Sequence, residues 1–341
     1  MLEISVKKNG GDFSTISEAI CGVPYDEEAV IHIGEGIYKE KLFSEKRDIT
    51  FIGKGMDKTI IEYDDGALDI MEDGSKRGTF RSYTAFFGGE NCTVKNMTIA
   101  NTAGDGSVRG QAIAVYADAK NCYFENVKLL GHQDTLFCAP LPYTERQKNG
   151  FMGPRVLTPR ILTKQYYKNC EIYGDVDFIF GGADAVFEGC LIQCNNRLKN
   201  VEKEQCEDKE RGKASDRALN GYITAASGLK ENLGMVFRNC VIRGEDGCAK
   251  NSIMLGRPWR EEARTVFLDC KMDDAIATER FSGWGAITKD EPDTFYGEYG
   301  SVSLSDGNAI DISGKNPWVK DLDEETAKEI NERADELCRG F

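Results

Sequence analysis

Apolar and polar residues alternate in short segments along most of the chain, and turns rich in Asn and Gly separate these segments. Residues 93–99, Thr-Val-Lys-Asn-Met-Thr-Ile, show the pattern, and Met1–Val6 follows it from the first residue. Short alternating segments predict strands that are buried on one face. No regular helical pattern lies between them, so the sequence predicts an all-β protein.

A repeat is visible where Val-Phe-x-x-Cys recurs, at 186–190, 236–240 and 266–270. Asn-Cys pairs that we expect to be related stand at 91–92, 121–122 and 169–170. Equivalent residues recur about every 20 to 50 positions, a period that is typical of stacked supersecondary units. Because these units are short strands joined by turns, the repeat predicts a single-stranded parallel β-helix.

No linker rich in Pro, Gly or Ser divides the chain, so we expect one domain over residues 1–341. Helical patterns suit caps at both ends of the solenoid: Thr15–Glu18 has the form of a capping box, and 321–338 has the pattern of a charged amphipathic helix. Two stretches interrupt the repeat. We expect the long loop 138–159 to border the site, and 195–217 to be a solvated charged excursion, with a substrate-contacting loop as the alternative.

The formal net charge of -14 and the pI near 4.9 would repel nucleic acid phosphates and anionic membrane surfaces. We therefore expect neither nucleic acid nor a membrane as a partner. The N-terminal residues lack the basic and apolar regions of a secretory signal. This favours a cytoplasmic protein, or a secreted one if a leader has been removed.

The 12 cysteines and two histidines bear on redox state and metal binding. In a chain of this length without a secretory signal, we expect free thiols stacked in the interior, with disulfides as the alternative. Only His32 and His132 are present, and no paired Cys-x-x-Cys motif occurs, so the sequence disfavours a structural zinc site.

Two segments place carboxylates among apolar and β-branched residues: 131–137, Gly-His-Gln-Asp-Thr-Leu-Phe, and 174–181, Gly-Asp-Val-Asp-Phe-Ile-Phe-Gly. A buried carboxylate is disfavoured as an ion, and two neighbouring carboxylates do not both ionise easily. Such a pair can divide into a protonated acid and an ionised nucleophile. The second segment contains two candidates for the catalytic carboxylate, Asp175 and Asp177, which would share a strand face.

The repeat predicts how these segments meet. Gln111 lies 23 residues before Asp134, about one coil. Asp177 lies 43 residues after Asp134, which is again about one coil once the loop 138–159 is removed. Neighbouring strands are about 4.8 Å apart. We therefore expect one surface to collect four polar side chains: Gln111, Gln133, Asp134 and Asp177.

Four motifs in this order resemble those of pectin methylesterases: 111–115 (Gln-Ala-Ile-Ala-Val), 131–136 (Gly-His-Gln-Asp-Thr-Leu), 177–181 (Asp-Phe-Ile-Phe-Gly) and 255–259 (Leu-Gly-Arg-Pro-Trp). Residues 36–40, Gly-Ile-Tyr-Lys-Glu, resemble that family's Gly-x-Tyr-x-Glu element, and the resemblance runs from about Gly10 to Tyr299. It implies a right-handed parallel β-helix that hydrolyses the C6 methyl ester of galacturonate in methylated pectin or oligogalacturonides. It also implies that neither a metal nor a cofactor is needed.

The resemblance assigns a role to each polar residue. Asp177 would attack the ester carbonyl, while Gln111 and Gln133 would donate amide hydrogens to the developing oxyanion. Asp134 would act first as general acid and then as general base. Arg257 would hold Asp177 ionised and oriented, the alternative being a purely structural ion pair.

Aromatic residues in and near the motifs are candidates for stacking on sugar rings: Phe137, Phe180, Trp259 and Trp284. Alternate strand residues face inward, so a core position is the alternative for Phe180. We expect His132 to be structural, because no second histidine lies near the motifs and no Gly-x-Ser-x-Gly segment supports a serine triad.

Two other kinds of function remain open for this architecture. A pectate lyase or polygalacturonase would cleave the polymer chain, and a non-catalytic solenoid would bind pectin unchanged. The four motifs favour the esterase, which we expect to be a monomer acting on short oligogalacturonides. The negative net charge suggests a preference for neutral, highly methylated stretches.

Overall fold

A computed structural model describes residues 1–199, 219–284 and 293–341. Most of the predicted excursion 195–217 therefore lies outside the described residues. In chain order the strands are β1 (Leu2–Val6), β2 (Ala29–Ile33), β3 (Gly36–Lys39), β4 (Leu42–Ser44), β5 (Ile49–Ile52), β6 (Thr59–Tyr63), β7 (Ala85–Phe87), β8 (Cys92–Asn101), β9 (Val115–Ala117), β10 (Asn121–Leu130), β11 (Leu136–Cys138), β12 (Lys164–Lys168), β13 (Glu171–Gly174), β14 (Val176–Gly181), β15 (Asp184–Glu188), β16 (Leu191–Cys194), β17 (Gly221–Ala226), β18 (Met235–Arg238), β19 (Val241–Gly244), β20 (Ile253–Gly256), β21 (Arg264–Leu268), β22 (Lys271–Met272), β23 (Phe295–Tyr299), β24 (Val302–Ser303) and β25 (Lys320–Asp321). The helices are α1 (Ile16–Gly22), α2 (Gly106–Arg109) and α3 (Glu324–Cys338), and a 3₁₀ turn covers Thr79–Arg81.

These strands form three parallel ladders, which we call sheets 1, 2 and 3. Sheet 1 runs in the order β1, β2, β5, β8, β10, β12, β15, β18, β21, β23 and β25. Sheet 2 runs β3, β6, β8, β10, β13, β16, β19, β22 and β24, and shares the long strands β8 and β10 with sheet 1. Sheet 3 runs β4, β7, β9, β11, β14, β17 and β20. One passage through the three sheets makes one coil, which confirms the predicted parallel β-helix.

A residue with left-handed backbone marks the bend from sheet 1 to sheet 2. In β8 and β10 it is Asn96 (φ 57°) and Asn126 (φ 53°), and in later coils it is the residue before a cysteine, as at Asn169 and Asn239. Asn reaches this conformation more readily than most residues, because its short polar side chain can bond locally. The Asn-rich turns of the sequence are therefore corners of the coil.

The Asn-Cys pairs, which we expected to be related, occupy two different corners of the coil. Cys92 and Cys122 pair with each other near the start of sheet 1. Cys170 instead follows the bend, in the register position that Val127 holds one coil earlier. Asn169 has a left-handed backbone at its corner, whereas the Asn121 side chain donates to Oδ1 of Asn91 at 2.8 Å at the other, and in each pair the cysteine is buried.

Aligned side chains fill the interior of the coils. Five rings stack almost face to face, with centroids 4.4 to 4.9 Å apart: Phe124, Tyr167, Phe187, Phe237 and Phe267. Three of them come from the Val-Phe-x-x-Cys repeat, whose cysteines are buried beside them. The cysteines within the described residues are free, as expected, and burial raises the pKa of thiols such as Cys190 well above its usual value. The sequence repeat thus corresponds to a column of stacked side chains inside the coils.

Helix α1 covers the N-terminal end of the solenoid, as predicted. The Thr15 hydroxyl accepts a hydrogen bond from the Glu18 amide at 3.2 Å, which fixes the first turn. The buried residues of the helix, Ile16, Ala19 and Ile20, join the core of the coils.

Helix α3 lies on the outer flank of sheet 1, and the prediction that it caps the end of the solenoid is wrong. Its apolar residues belong to one hydrophobic cluster with Val186, Val236 and Val266, and Asp335 pairs with Arg238. In each Val-Phe-x-x-Cys repeat the Phe faces inward, so the Val faces outward and needs cover. Helix α3 buries this outer row. Among the described helices, none is both long and apolar enough to cross a lipid bilayer.

Candidate active site

The strands of sheet 3 carry the predicted site. Leu136 in β11 pairs with Val115 in β9 on one side and with Ile179 in β14 on the other. Asp134 and Asp177 each lie two residues before these paired positions, so adjacent coils place them next to each other. The prediction that Asp177 follows Asp134 by one coil is confirmed.

The backbone at both aspartates departs from regular strand geometry. Asp134 has φ 65° and Asp177 has φ 50°, and the pairing of β14 with β17 shifts register between Val176 and Ile179. Such bulges redirect side chains and occur next to active sites, where surrounding structure holds the strained conformation. Both aspartates are largely buried, with 8% and 4% of their surface exposed. Their carboxyl groups are therefore held in position.

Arg257 binds the Asp177 carboxylate through two hydrogen bonds. Its Nε donates to Oδ1 at 2.9 Å and its Nη2 donates to Oδ2 at 2.7 Å. A bidentate guanidinium fixes both the charge and the orientation of a carboxylate. Arg257 follows β20, two strands along sheet 3 from β14, so this contact joins residues far apart in sequence.

Two aromatic rings hold the Arg257 guanidinium. Its central carbon lies 4.0 Å from the ring centre of Tyr222 and 4.1 Å from that of Trp284. Contacts between a cation and the faces of aromatic rings are attractive and restrict the side chain. Sequence reasoning missed Tyr222. Its position in the strand between those of Asp177 and Arg257 was the signal that could have found it.

The two carboxyl groups differ in their electrostatic surroundings. Burial raises the pKa of Asp134 well above its usual value, and the neighbouring charge of Asp177 raises it further. Burial also raises the pKa of Asp177, but the hydrogen bonds and charge of Arg257 oppose that rise. In the described residues, no side chain hydrogen bonds to the Asp134 carboxyl group. The arrangement therefore favours a proton on Asp134 and a negative charge on Asp177.

Asp175, the other candidate in this segment, has a different partner. One of its carboxylate oxygens lies 2.8 Å from Nδ1 of His132, and this hydrogen bond raises the pKa of the His132 imidazole. Asp175 does not line the cavity that holds Asp177. The structure thus separates the two acids: Asp177 faces the cavity with Arg257, and the buried Asp175 pairs with the half-buried His132.

A cavity of about 400 Å³ collects the predicted polar residues. Five of them line it: Gln111, Gln133, Asp134, Asp177 and Arg257. The loop 138–159 contributes Arg146, Gln147, Gly150 and Phe151 to its wall. The expectation that this loop borders the site is confirmed. Within the described ranges, no three His, Cys, Asp or Glu side chains cluster as a metal site would require.

Helix α2 packs closely against the side chain of Gln133 through Gly106. A methyl group built on Gly106 would lie 2.9 Å from both Cβ and Oε1 of Gln133, closer than real side chains approach each other. The Gln133 side chain therefore occupies the space that the missing side chain of Gly106 leaves open. This contact was not predicted, since nothing in the local pattern connects residue 106 with the 131–137 segment.

The predicted aromatic residues divide into two groups. Phe180, Trp259 and Trp284 line the cavity. Phe137 is fully buried, with its ring packed 4.7 Å from Tyr116 and 4.8 Å from Phe180. The prediction that Phe137 stacks on a sugar is wrong, because its ring is fully buried among neighbouring rings and does not line the cavity.

The comparison with protein families decides where this site belongs. The model of the Pectinesterase family matches residues 3–148 and 160–332. The chain belongs to the pectinesterase family. Within the matched ranges lie both aspartates, both glutamines and Arg257.

Individual pectinesterases are similar over most of the chain. Probable pectinesterase/pectinesterase inhibitor 64 of Arabidopsis thaliana is 31% identical over 94% of this chain, which spans about half, 49%, of that relative. Pectinesterase 31 of the same plant is 30% identical over 95% of this chain and 89% of its own length. The pectin methylesterase from carrot has a similar structure, with a TM-score of 0.73 and 27% identity over 95% of this chain and 89% of its own.

One part of the cavity wall departs from the pectinesterase model. Residues 149–159 are not matched, and they belong to the loop 138–159. Phe151, in this unmatched part, is 4% exposed and its ring packs 5.8 Å from Phe80 and 6.3 Å from Trp259. Gly150 and Phe151 of this unmatched segment therefore form part of the cavity wall.

Proposed function

We propose that this protein hydrolyses the C6 methyl esters of galacturonate in pectin or oligogalacturonides and releases methanol. Asp177 is the nucleophile and Asp134 is the general acid and base. The proposal combines family membership with the unequal surroundings of the two carboxyl groups. That inequality is the observation that carries the assignment of roles.

The first half of the reaction forms an acyl enzyme. A carboxylate oxygen of Asp177 attacks the ester carbonyl carbon, and the carbonyl oxygen becomes an oxyanion. The amide N–H groups of Gln111 and Gln133 donate hydrogen bonds to it. Collapse of this intermediate breaks the bond to the methoxy group, and the proton of Asp134 passes to the leaving oxygen to give methanol.

The second half regenerates the enzyme. Asp134, now ionised, takes a proton from water, and the resulting hydroxide attacks the galacturonoyl carbonyl of the acyl enzyme. Collapse releases the Asp177 carboxylate and a galacturonate carboxyl group. One water is consumed and one methanol is formed in each cycle.

The contacts of Arg257 support this division of roles. An ionised Asp177 in a buried site needs a fixed positive partner, and the two hydrogen bonds from Arg257 supply one, while Asp177 still lines the cavity. Asp134 lacks such a partner among the described residues, so its protonated form is favoured. A nucleophile beside a protonated acid is what the first step requires.

The test compares two aspartates of the same segment. Methanol release from highly methylated pectin, with calcium chelated, is measured for the parent protein, Asp177→Asn and Asp175→Asn, each at its own pH optimum. We expect Asp177→Asn to lose at least about 1,000-fold in kcat, as removal of a nucleophile does in other hydrolases. Asp175→Asn should keep most of the activity, because Asp175 lies outside the cavity.

The other outcomes identify the alternatives. Shortened polymer without methanol would indicate a chain-cleaving enzyme, and pectin binding without either product would indicate a non-catalytic solenoid. An equal loss in both variants would remove the assignment of Asp177 as the nucleophile.

A further inference from the structure

Two arginines line the cavity without a carboxylate partner among the described residues. Arg257, the third arginine of the cavity, is neutralised by Asp177. Arg146 and Arg260 form no ion pair within 1–199, 219–284 and 293–341. An unneutralised pair of guanidinium groups in a substrate cavity is a feature that the ester hydrolysis itself does not use.

Backbone carbonyls hold these two side chains in place. Arg146 donates from Nη2 to the carbonyl of Trp259 at 2.6 Å. Arg260 donates from Nη1 to the same carbonyl and from Nη2 to the carbonyl of Thr144, both at 2.8 Å. Neutral carbonyls orient a guanidinium but do not cancel its charge, and each arginine keeps further N–H groups for a ligand.

The acid next to Arg146 is already engaged. The Glu145 carboxylate accepts hydrogen bonds from the backbone amides of Asn149 at 2.9 Å and Phe151 at 3.2 Å. It thereby organises the inserted part of the loop. This use of Glu145 leaves the guanidinium of Arg146 directed to the cavity, where it lies 5.4 Å from the ring centre of Trp284.

Arg260 is half-buried and close to Arg146. Burial and the charge of Arg146 lower the pKa of Arg260 to about 10, which still leaves it charged at neutral pH. Two partly desolvated cations that repel each other gain most from a shared anion. On its other side Arg260 borders a second cavity of about 400 Å³, which carries three acids: Glu231, Glu261 and Glu262. These acids disfavour an anion on that side of Arg260, so a ligand carboxylate is expected in the cavity that Arg260 shares with Arg146.

The net charge of -14 does not determine the electrostatic potential inside the cavity. At physiological ionic strength, exposed charges more than about 8 Å apart are largely screened. A ligand inside the cavity therefore experiences Arg146 and Arg260 more strongly than distant surface acids. The expectation from net charge alone, that neutral and highly methylated stretches are preferred, neglects this screening.

We propose that Arg146 and Arg260 bind the free carboxylate of a galacturonate unit next to the esterified unit that reacts. This inference rests on the proposed function and specifies its substrate: partly de-esterified pectin rather than fully esterified pectin. A carboxylate formed in one cycle becomes a binding group for the next ester along the chain. The two arginines thus favour demethylation beside existing carboxylates.

The kinetic test uses the ratio of two rates. kcat/KM per methyl ester is measured at low salt on partly de-esterified and on fully esterified galacturonate oligomers of equal length. The ratio should exceed one for the parent protein and fall about tenfold in Arg146→Gln/Arg260→Gln, as expected for loss of charge-assisted hydrogen bonds. Arg146→Lys, which keeps the charge, should retain most of the ratio.

Lys148→Gln is the matched control. It removes the same charge from the same loop, but Lys148 is exposed and does not line the cavity. Its ratio should equal that of the parent protein. A ratio that is unchanged in the double arginine variant, or reduced equally in Lys148→Gln or Arg146→Lys, would overturn the proposal.

A binding measurement separates this inference from the proposed function. Titration calorimetry of Asp177→Asn with fully de-esterified trigalacturonate should give binding that is about tenfold weaker once Arg146 and Arg260 are replaced by Gln. This result does not depend on methanol release. Absence of binding, or equal binding with and without the arginines, would contradict the carboxylate site even in an active esterase.

Discussion

Arg257 donates to both carboxylate oxygens of Asp177, and no side chain among the described residues does the same for Asp134. The two acids lie in adjacent coils and are similarly buried, so burial alone would raise the pKa of both. The arginine makes them different. It favours the charged form of one acid, and that charge in turn favours the protonated form of the other.

Replacement of Arg257 should shift the acid limb of the pH profile. Because Arg257 lowers the pKa of Asp177, Arg257→Gln leaves burial unopposed and raises that pKa. The acid limb of kcat/KM should move to higher pH, and the maximal rate should fall about 100-fold. Profiles of the variant and of Arg243→Gln, an exposed arginine on β19, provide the comparison. A limb that stays in place would show that Arg257 does not control the ionisation of Asp177.

Replacement of Asp175 should shift the alkaline limb of the pH profile. The negative charge of Asp175 raises the pKa of Asp134, so Asp175→Asn should lower that pKa. Activity requires protonated Asp134 in the first step, and the alkaline limb of kcat/KM should therefore move to lower pH. The measurement is the pH dependence of methanol release for parent and variant. Movement to higher pH would contradict the predicted coupling.

Asp134→Asn should lower activity and increase stability above mildly acidic pH. The folded protein raises the pKa of Asp134 from 3.8, so its contribution to stability is complete below that value and is lost as pH rises through the folded pKa. Asn does not titrate, so the variant avoids this loss, while kcat falls about 100- to 10,000-fold without the general acid. Denaturant unfolding at pH 4 and pH 8 checks the sign: the variant's advantage must be larger at pH 8.

A methyl group at residue 106 should weaken the oxyanion contact. Gly106→Ala would push against Cβ and Oε1 of Gln133, which must then move from its position in the cavity. We expect kcat to fall about tenfold or more with a smaller change in KM, since an oxyanion donor acts in the transition state. Val108→Ala, on the exposed side of the same helix, is the control. Equal effects of the two substitutions would mean that Gly106 supports helix α2 rather than Gln133.

Much of the fold follows from patterns that repeat along the chain. Val-Phe-x-x-Cys determines which side chain faces the interior and which faces outward, because strand alternation depends only on neighbours in sequence. The register of Asp134 with Asp177 also follows from the repeat, once the loop 138–159 is set aside. The position of helix α3 does not follow, since its apolar stripe fits either the end of the coils or their flank.

The choice between Asp175 and Asp177 required the tertiary structure. Both acids precede or occupy one strand, and their spacing would give them the same face in a regular ladder. The bulge between Val176 and Ile179 breaks that regularity, and contacts with His132 and Arg257 give each acid its own partner. Local pattern contains no information about such a shift in pairing.

By itself, the sequence determined the stacked strands, the columns of aromatic and cysteine side chains, and the four motifs that meet at one cavity. These features depend on periodicity and on residue types, which can be read directly from the sequence. The tertiary structure alone decided that Phe137 is buried, that Tyr222 contacts Arg257, and that Arg146 and Arg260 form no ion pair with a described acid. Such contacts join distant coils and loops, and their geometry depends on the packing of the whole solenoid.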